Sequence, residues 1–219
     1  MDGGQRRRGP DPAKRQAILE ASLGVFADLG YVRASIEAIA AQADVSTRTI
    51  YNHFQNKDAL FQTTIEQSAS RVAAAQIEIV GTYLTVSDDS EQKIEARLIE
   101  FATAWIRPLP DYAEHRALVD RVRAEVGRIP RPALDAWQAA GPLQVRRALA
   151  RAFAALAAHG DLRIDDPDVA ATHFTRLVTV DDPLRPGRRT TKKQVSTIIA
   201  NGVRAFLYGY GTDRTGSAS

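Results

Sequence analysis

Between Thr47 and His53 the chain places two threonines, an arginine, a tyrosine, an asparagine and a histidine around one apolar residue, Ile50. Wound as a helix, this stretch turns Ile50 and the following Phe54 to one side. Thr47, Arg48, Thr49, Tyr51, Asn52 and His53 are left on the other. That face holds hydroxyls, a guanidinium, an amide and an imidazole, and no carboxylate. Such a set suits phosphate oxygens and base edges, and a helix about 11 Å wide fits a DNA major groove. Lys57 adds a cation at the expected first position of the next helix. The helix dipole opposes a cation there unless an anion such as a phosphate lies close, or Asp58 balances it locally.

Catalysis has no comparable support. The four histidines, His53, His115, His159 and His173, are far apart, with no H-x-x-x-H or H-E-x-x-H spacing. Asp88-Asp89, Asp165-Asp166 and Asp181-Asp182 fall at expected helix starts or loops, where capping and solvation account for them. The chain has no cysteine, which removes thiol nucleophiles, disulfides and thiolate metal sites. It also lacks a P-loop and a G-x-S-x-G elbow. The expectation is a protein that is not an enzyme and uses no cofactor and no metal. A net charge of +3 does not by itself announce a nucleic-acid partner, so the distribution of charge has to carry that inference.

The elements that must position this face are helical. Of 219 residues 36 are alanine, and punctuation by Pro and Gly is regular. Asp11 and Pro12 start a first helix carrying Ile18, Leu19, Leu23, Phe26 and Leu29, and Gly30 is expected to close it. Ser35 caps a short second helix through Ile36, Ile39, Ala40 and Ala43. Asp44-Val45-Ser46 interrupts the pattern, and Ser46 caps the third helix. A long helix followed by two short ones across a three-residue turn is the sequence shape of a helix-turn-helix. A fourth helix from Asn56 to about Thr82 is long enough to be shared with the next domain. Further helices are expected at 91–107, 111–127, 133–140, 141–159, 166–180 and 190–208, with loops at 85–90 and 181–187. No apolar run approaches a membrane span, and the N-terminus lacks a signal-peptide core, so a cytoplasmic protein with no membrane partner is expected.

The stretch from Lys14 to Phe61 resembles the TetR family of bacterial transcriptional regulators. The resemblance rests on Val45, Ser46, Thr49, Ile50, Tyr51, His53, Phe54, Lys57, Asp58 and Leu60, with Phe26, Gly30, Ile36, Ile39 and Ala40 ahead of them. Where the family commonly carries glycine before the valine, this chain has Asp44, a residue that tolerates left-handed backbone. The C-terminal part, through Gly141-Pro142, Gly160-Asp161-Leu162, Asp165-Asp166-Pro167 and the ending Gly202 to Leu207, more loosely resembles a common AefR-like subtype.

The resemblance implies an all-α protein. A three-helix DNA-binding domain at 11–56 is joined by the shared helix to a helical ligand-binding and dimerisation domain at 57–210, between flexible tails at 1–10 and 211–219. The implied function is a ligand-responsive regulator, a repressor that grips a palindromic duplex operator as a homodimer and is released by a small hydrophobic effector. An activator, or a ligand-independent regulator of the same fold, is the alternative, and a helical enzyme a remote one. Thr47, Arg48 and Asn52 are the implied base readers. Thr49, Tyr51, His53 and Lys57, with Arg33 and Ser35, are implied backbone contacts. Phe101, Trp105, Tyr112, His115, Trp137, His173 and Arg176 are candidates for the effector pocket, each also explicable as core. Val169, His173, Phe174, Leu177, Val195, Ile198, Ile199, Val203 and Phe206 are candidates for the dimer face, some of them doubling as core of the protomer. Arg6, Arg7 and Arg8 form either a solvated tail or an arm for a minor groove. The basic run 185–193 is expected only to solvate a loop.

Overall fold

The computed structural model describes residues 11–86, 93–107, 112–180 and 190–212. Among them lie ten helices: α1 (Pro12–Arg33), α2 (Ile36–Gln42), α3 (Thr47–His53), α4 (Lys57–Tyr83), α5 (Ile94–Trp105), α6 (Ala113–Ala124), α7 (Arg131–Ala140), α8 (Pro142–His159), α9 (Pro167–Leu177) and α10 (Lys192–Tyr210). The basic tail, the expected loop at 181–187, most of the one at 85–90 and the tail from 213 lie outside the described residues.

The helix starts follow local chemistry. The side chains of Asp11, Ser35, Ser46, Asp166 and Thr191 each accept a backbone N–H of the first turn they precede, and Thr191 and Gln194 form a reciprocal capping box. Helix ends depart from expectation by a few residues. The last helix runs to Tyr210 rather than 208. The one before it stops at Leu177 rather than 180, where the Val178 N–H turns back to Arg176 and Phe174.

The described residues form two compact units, each interrupted in sequence. The first combines residues up to Val72 with Leu109–Pro142, so α6 and α7 pack with the helix-turn-helix. Its core gathers Ile18, Phe26, Ile39, Ile50, Phe61 and Ile65, all fully buried, together with Leu118 of α6 and Ala133 of α7. Phe26 and Phe61 meet edge to face at 4.9 Å. The second comprises the described residues of 73–108 and 143–219 around Phe101, Phe153, Phe174 and Phe206, whose rings lie 5.1–5.6 Å apart. Burying each such ring contributes about 2–3 kcal/mol, which explains how a chain so rich in alanine assembles two cores. The expected boundary at 56 and 57 follows the motif, whereas the packing follows these aromatic clusters, and α4 contributes to both.

Gly30 does not close α1. It interrupts it at φ 78° and ψ 170°, after which the chain makes one more turn to Arg33. A Cβ at this position would run into the Glu125 carboxylate, which accepts the Val32 N–H at 3.0 Å. The position thus needs glycine both for its dihedral angles and for the approach of a side chain. Gly30→Ala is expected to lower the unfolding free energy by about 2–4 kcal/mol in urea melts; an unchanged midpoint would show that the kink is dispensable.

Candidate nucleic-acid interface

The turn that presents α3 is a Schellman motif. The Val45 N–H donates to the Ala40 carbonyl at 3.0 Å and the Asp44 N–H to that of Ala41 at 3.4 Å. This requires a left-handed residue between them, and Asp44 takes φ 51°. Among the described residues it is the only non-glycine with positive φ. Aspartate tolerates the conformation, so the motif survives without its usual glycine. Val45 then packs against the first core, pinning the turn. Ser46 accepts the Thr49 N–H at 3.1 Å, and the two hydroxyls meet at 2.9 Å.

The structure places Arg48, Tyr51 and Asn52 on one exposed face of α3, with Tyr51 55% exposed. Ile50 and Phe54 point inward, 0% and 5% exposed. Thr47 is half-buried at the start of the helix, and the Thr49 hydroxyl is committed to Ser46. His53 is half-buried and its Nδ1 is sealed without a partner among the described residues, so any outward contact falls to Nε2. Ser35 spends its hydroxyl capping α2 at Ala38, and the Arg33 guanidinium folds back onto the Leu29 carbonyl at 3.1 Å. Arg15, which sequence reasoning passed over, lies 5.1 Å above the Phe54 ring and so brings a cation from α1 to the end of α3.

Lys57 begins α4, behind an Asn56 side chain that caps the Ala59 N–H. Its ammonium sits 4.8 Å above the ring of Tyr31 and 3.4 Å from the Val32 carbonyl oxygen. Burial lowers its pKa, against the opposing pull of Asp58 and Glu125. Asp58 accepts the Tyr31 hydroxyl at 2.6 Å. Burial first, and then this carboxylate, raise the Tyr31 pKa to about 12. Arg121 in the last turn of α6 and Glu125, its C-cap residue, hold the same corner. Arg121 donates to the carbonyls of Ala27 and Asp28, and Glu125 accepts from Val32. These contacts join residues 93 or 94 positions apart, beyond the reach of any spacing rule.

The other candidates separate. Of the seven effector candidates, Tyr112, His115 and Trp137 belong to the first unit and Phe101, Trp105, His173 and Arg176 to the second. Phe101 is sealed in the second core, 5.5 Å from Trp105 and 5.6 Å from Phe174, so it is a packing residue in this structure. His173 meets the Tyr210 hydroxyl at 2.7 Å, and the two line an open hollow of about 350 Å³ with Arg176, Leu177, Ala205 and Phe206. Among the dimer candidates Phe174, Ile199, Val203 and Phe206 are 0–1% exposed. They complete the chain's own core, because their rings and branches fill the space between α5, α8, α9 and α10. Val169, His173 and Leu177 are exposed, and Val195 and Ile198 half-buried.

Comparison with known proteins decides the family. Residues 18–64 match the profile of bacterial regulatory proteins of the tetR family. Residues 96–212, more than half of the chain, match that of the C-terminal domain of AefR-like transcriptional repressors. The chain belongs to the TetR family of transcriptional regulators. This is a family of regulators and not of enzymes. A TetR-family regulator from Mesorhizobium loti of known structure is 25% identical, with a TM-score of 0.77 over 91% of this chain and 98% of that one. The flavonoid-responsive regulator FrrA is 27% identical, with a TM-score of 0.69 over 93% and 100%. The transcriptional activator FasR of Mycolicibacterium smegmatis is 31% identical over 101 residues, which span 45% of this chain but only 44% of FasR. No helix among the described residues is long and apolar enough to cross a membrane.

In this TetR-family chain His115 faces Ser68, a buried α4 hydroxyl, at 2.8 Å. Burial, then Arg71 and Arg116, lower its pKa from 6.5 to about 4. The folded state therefore holds this imidazole neutral, while the unfolded chain takes up a proton below pH 6.5. The contribution of His115 is at its full value above that pH, is lost as the pH falls toward 4, and changes no further below it. Solvent screening at the ring's exposed edge brings the total to about 2 kcal/mol. His115→Gln is expected to remove this component, so that its stability gap to the unaltered protein differs between pH 7 and 4.5 in denaturant titrations; a gap constant with pH would place the imidazole in solvent.

Proposed function

We propose that this regulator binds a palindromic operator as a homodimer, represses the adjoining promoter and is released by a small hydrophobic effector. The observation that carries the reading is the exposed, carboxylate-free face of Arg48, Tyr51 and Asn52 on a helix capped at its start and anchored through Ile50. In this reading residues 11–56 engage DNA, and residues 57–210 bind effector and partner copy. Arg48 and Asn52, with Thr47, read base edges. Tyr51, Lys57 and the outer nitrogen of His53 hold phosphates. Arg33, Ser35 and Thr49 serve chiefly through the local bonds that set the helices. One α3 reads only a few base pairs, so a second copy about 34–36 Å away is needed to read the next groove. The exposed Val169, His173 and Leu177 of α9, flanked by Val195 and Ile198 of α10, supply the surface for it.

The effector is apolar with hydrogen-bond acceptors. Trp137 carries a buried indole N–H without a partner among the described residues, His115 is neutral, and the similar FrrA is described as flavonoid-responsive. Effector binding weakens operator binding through a coupling of about 2–3 kcal/mol, roughly 30- to 150-fold. Activation is the second reading, favoured by the similarity to FasR, a named activator.

The test begins with selection of duplexes from a random pool. Arg48→Ala is expected to cost about 1–3 kcal/mol on the selected site and little on mixed-sequence DNA. Lys57→Ala is expected to weaken both equally and to lower the salt slope by about one per protomer. A pool that yields no symmetric consensus, or an Arg48 variant that loses both duplexes alike, would contradict the assignment.

A further inference from the structure

Lys57 is expected to meet a phosphate, yet Asp58 is its immediate neighbour in the chain. A four-carbon arm at the start of a helix is free to swing toward such a carboxylate, and a lysine neutralised in this way contributes little to a polyanion. The structure shows what opposes that collapse. The Asp58 carboxylate accepts the Tyr31 hydroxyl at 2.6 Å, and the Lys57 ammonium lies 4.8 Å over the face of the same ring. One tyrosine thus engages both charges, the anion at its hydroxyl and the cation on its π-face.

The platform is itself fixed. The Tyr31 ring packs 4.9 Å from the buried Phe61 ring, and the backbone beyond it is held by Val32 donating to Glu125 at 3.0 Å. The same Val32 offers its carbonyl oxygen to the Lys57 ammonium at 3.4 Å. A π-face and a carbonyl dipole restrain an ammonium without cancelling its charge. Part of the rotamer entropy that a free lysine would lose on meeting a phosphate is therefore lost already on folding.

We propose that Tyr31 is a positioning residue for the DNA-backbone contact: it diverts Asp58 and holds Lys57 charged and oriented toward a phosphate. The inference rests on the DNA-binding reading above and adds to it a residue on α1 with no base or phosphate contact of its own. Were Tyr31 only a core residue, phenylalanine would replace it without consequence for DNA.

The test is a salt titration of binding to a mixed-sequence duplex of about 30 base pairs, starting at about 50 mM salt. It uses the full chain and its Tyr31→Phe, Asp58→Asn, Tyr31→Phe/Asp58→Asn, Lys57→Ala and Tyr31→Phe/Lys57→Ala forms. Tyr31→Phe, with its hydroxyl gone and Asp58 released to pair with Lys57, is expected to bind about three- to tenfold more weakly, with a salt slope lower by about one per protomer. Adding Asp58→Asn is expected to restore both affinity and slope. In the Lys57→Ala background Tyr31→Phe is expected to change nothing further. Unchanged binding by Tyr31→Phe, a loss that Asp58→Asn does not restore, or a loss that persists without Lys57 would each overturn the proposal while leaving DNA binding intact. Failure of the unaltered chain to bind the duplex would overturn both. A readout independent of DNA is the Lys57 ε-methylene proton resonance, expected upfield in the free protein from the Tyr31 ring current; an ordinary lysine shift there would also overturn the proposal.

Discussion

A helix of seven residues has no stability of its own in water, because the cost of nucleation is spread over too few hydrogen bonds. α3 therefore exists only through what surrounds it. Ile50, fully buried, ties it to the core, Ser46 caps its start, and the Schellman turn at Asp44 and Val45 sets its angle of entry. Burial of Ile50 supplies about 2 kcal/mol and the cap about 1, enough to fix the helix and so the direction of its outer face. The functional account depends on that direction. If Ile50 faces inward, Arg48, Tyr51 and Asn52 face outward.

The corner behind α3 is built from parts distant in sequence. The kink at Gly30 exposes carbonyls on one side and an N–H on the other. The C-terminal end of α6 and its cap meet them with opposite charges one turn apart, Arg121 on the carbonyls of Ala27 and Asp28 and the cap residue Glu125 on the N–H of Val32. Tyr31 and Lys57 sit on that same short stretch. Local backbone strain, a charged clamp and the lysine proposed to meet a phosphate thus share a few residues. In the second unit the aromatic cluster closes a core of its own. Phe174 of α9 and Ile199, Val203 and Phe206 of α10 are spent on it, while Val169, His173, Leu177 and Tyr208 stay on the outer surface.

What was legible in the sequence was what is local. Caps at Asp11, Ser35, Ser46 and Asp166 act over two or three residues and stand where the residue types put them. The division of α3 into an Ile50 side and an Arg48 side follows from helical periodicity alone. Gly30 was readable as a break, but whether the chain then leaves the helix or makes one more turn depends on Glu125. The same limit applies to the apolar stripes of α9 and α10. Periodicity marks Phe174, Ile199, Val203 and Phe206 as facing something, and only packing shows that they face their own core. His115 and Trp137 were read together with Phe101 as one aromatic set, although the fold distributes them between two units. Tyr31 carried no signal beyond following a glycine. Its role comes from a hydroxyl, a ring face and a carboxylate brought together 27 positions apart.

The central claim is that the Arg48, Tyr51 and Asn52 face enters a major groove in two symmetric copies. Protection of guanine N7 from methylation on a selected duplex tests it most directly, since that atom lies on the major-groove floor. The account predicts two protected patches on one side of the duplex, about 34–36 Å or somewhat more from centre to centre, and loss of both in Asn52→Ala/Arg48→Ala. Protection of a single patch, protection confined to minor-groove positions, or an unaltered pattern in the double variant would contradict it.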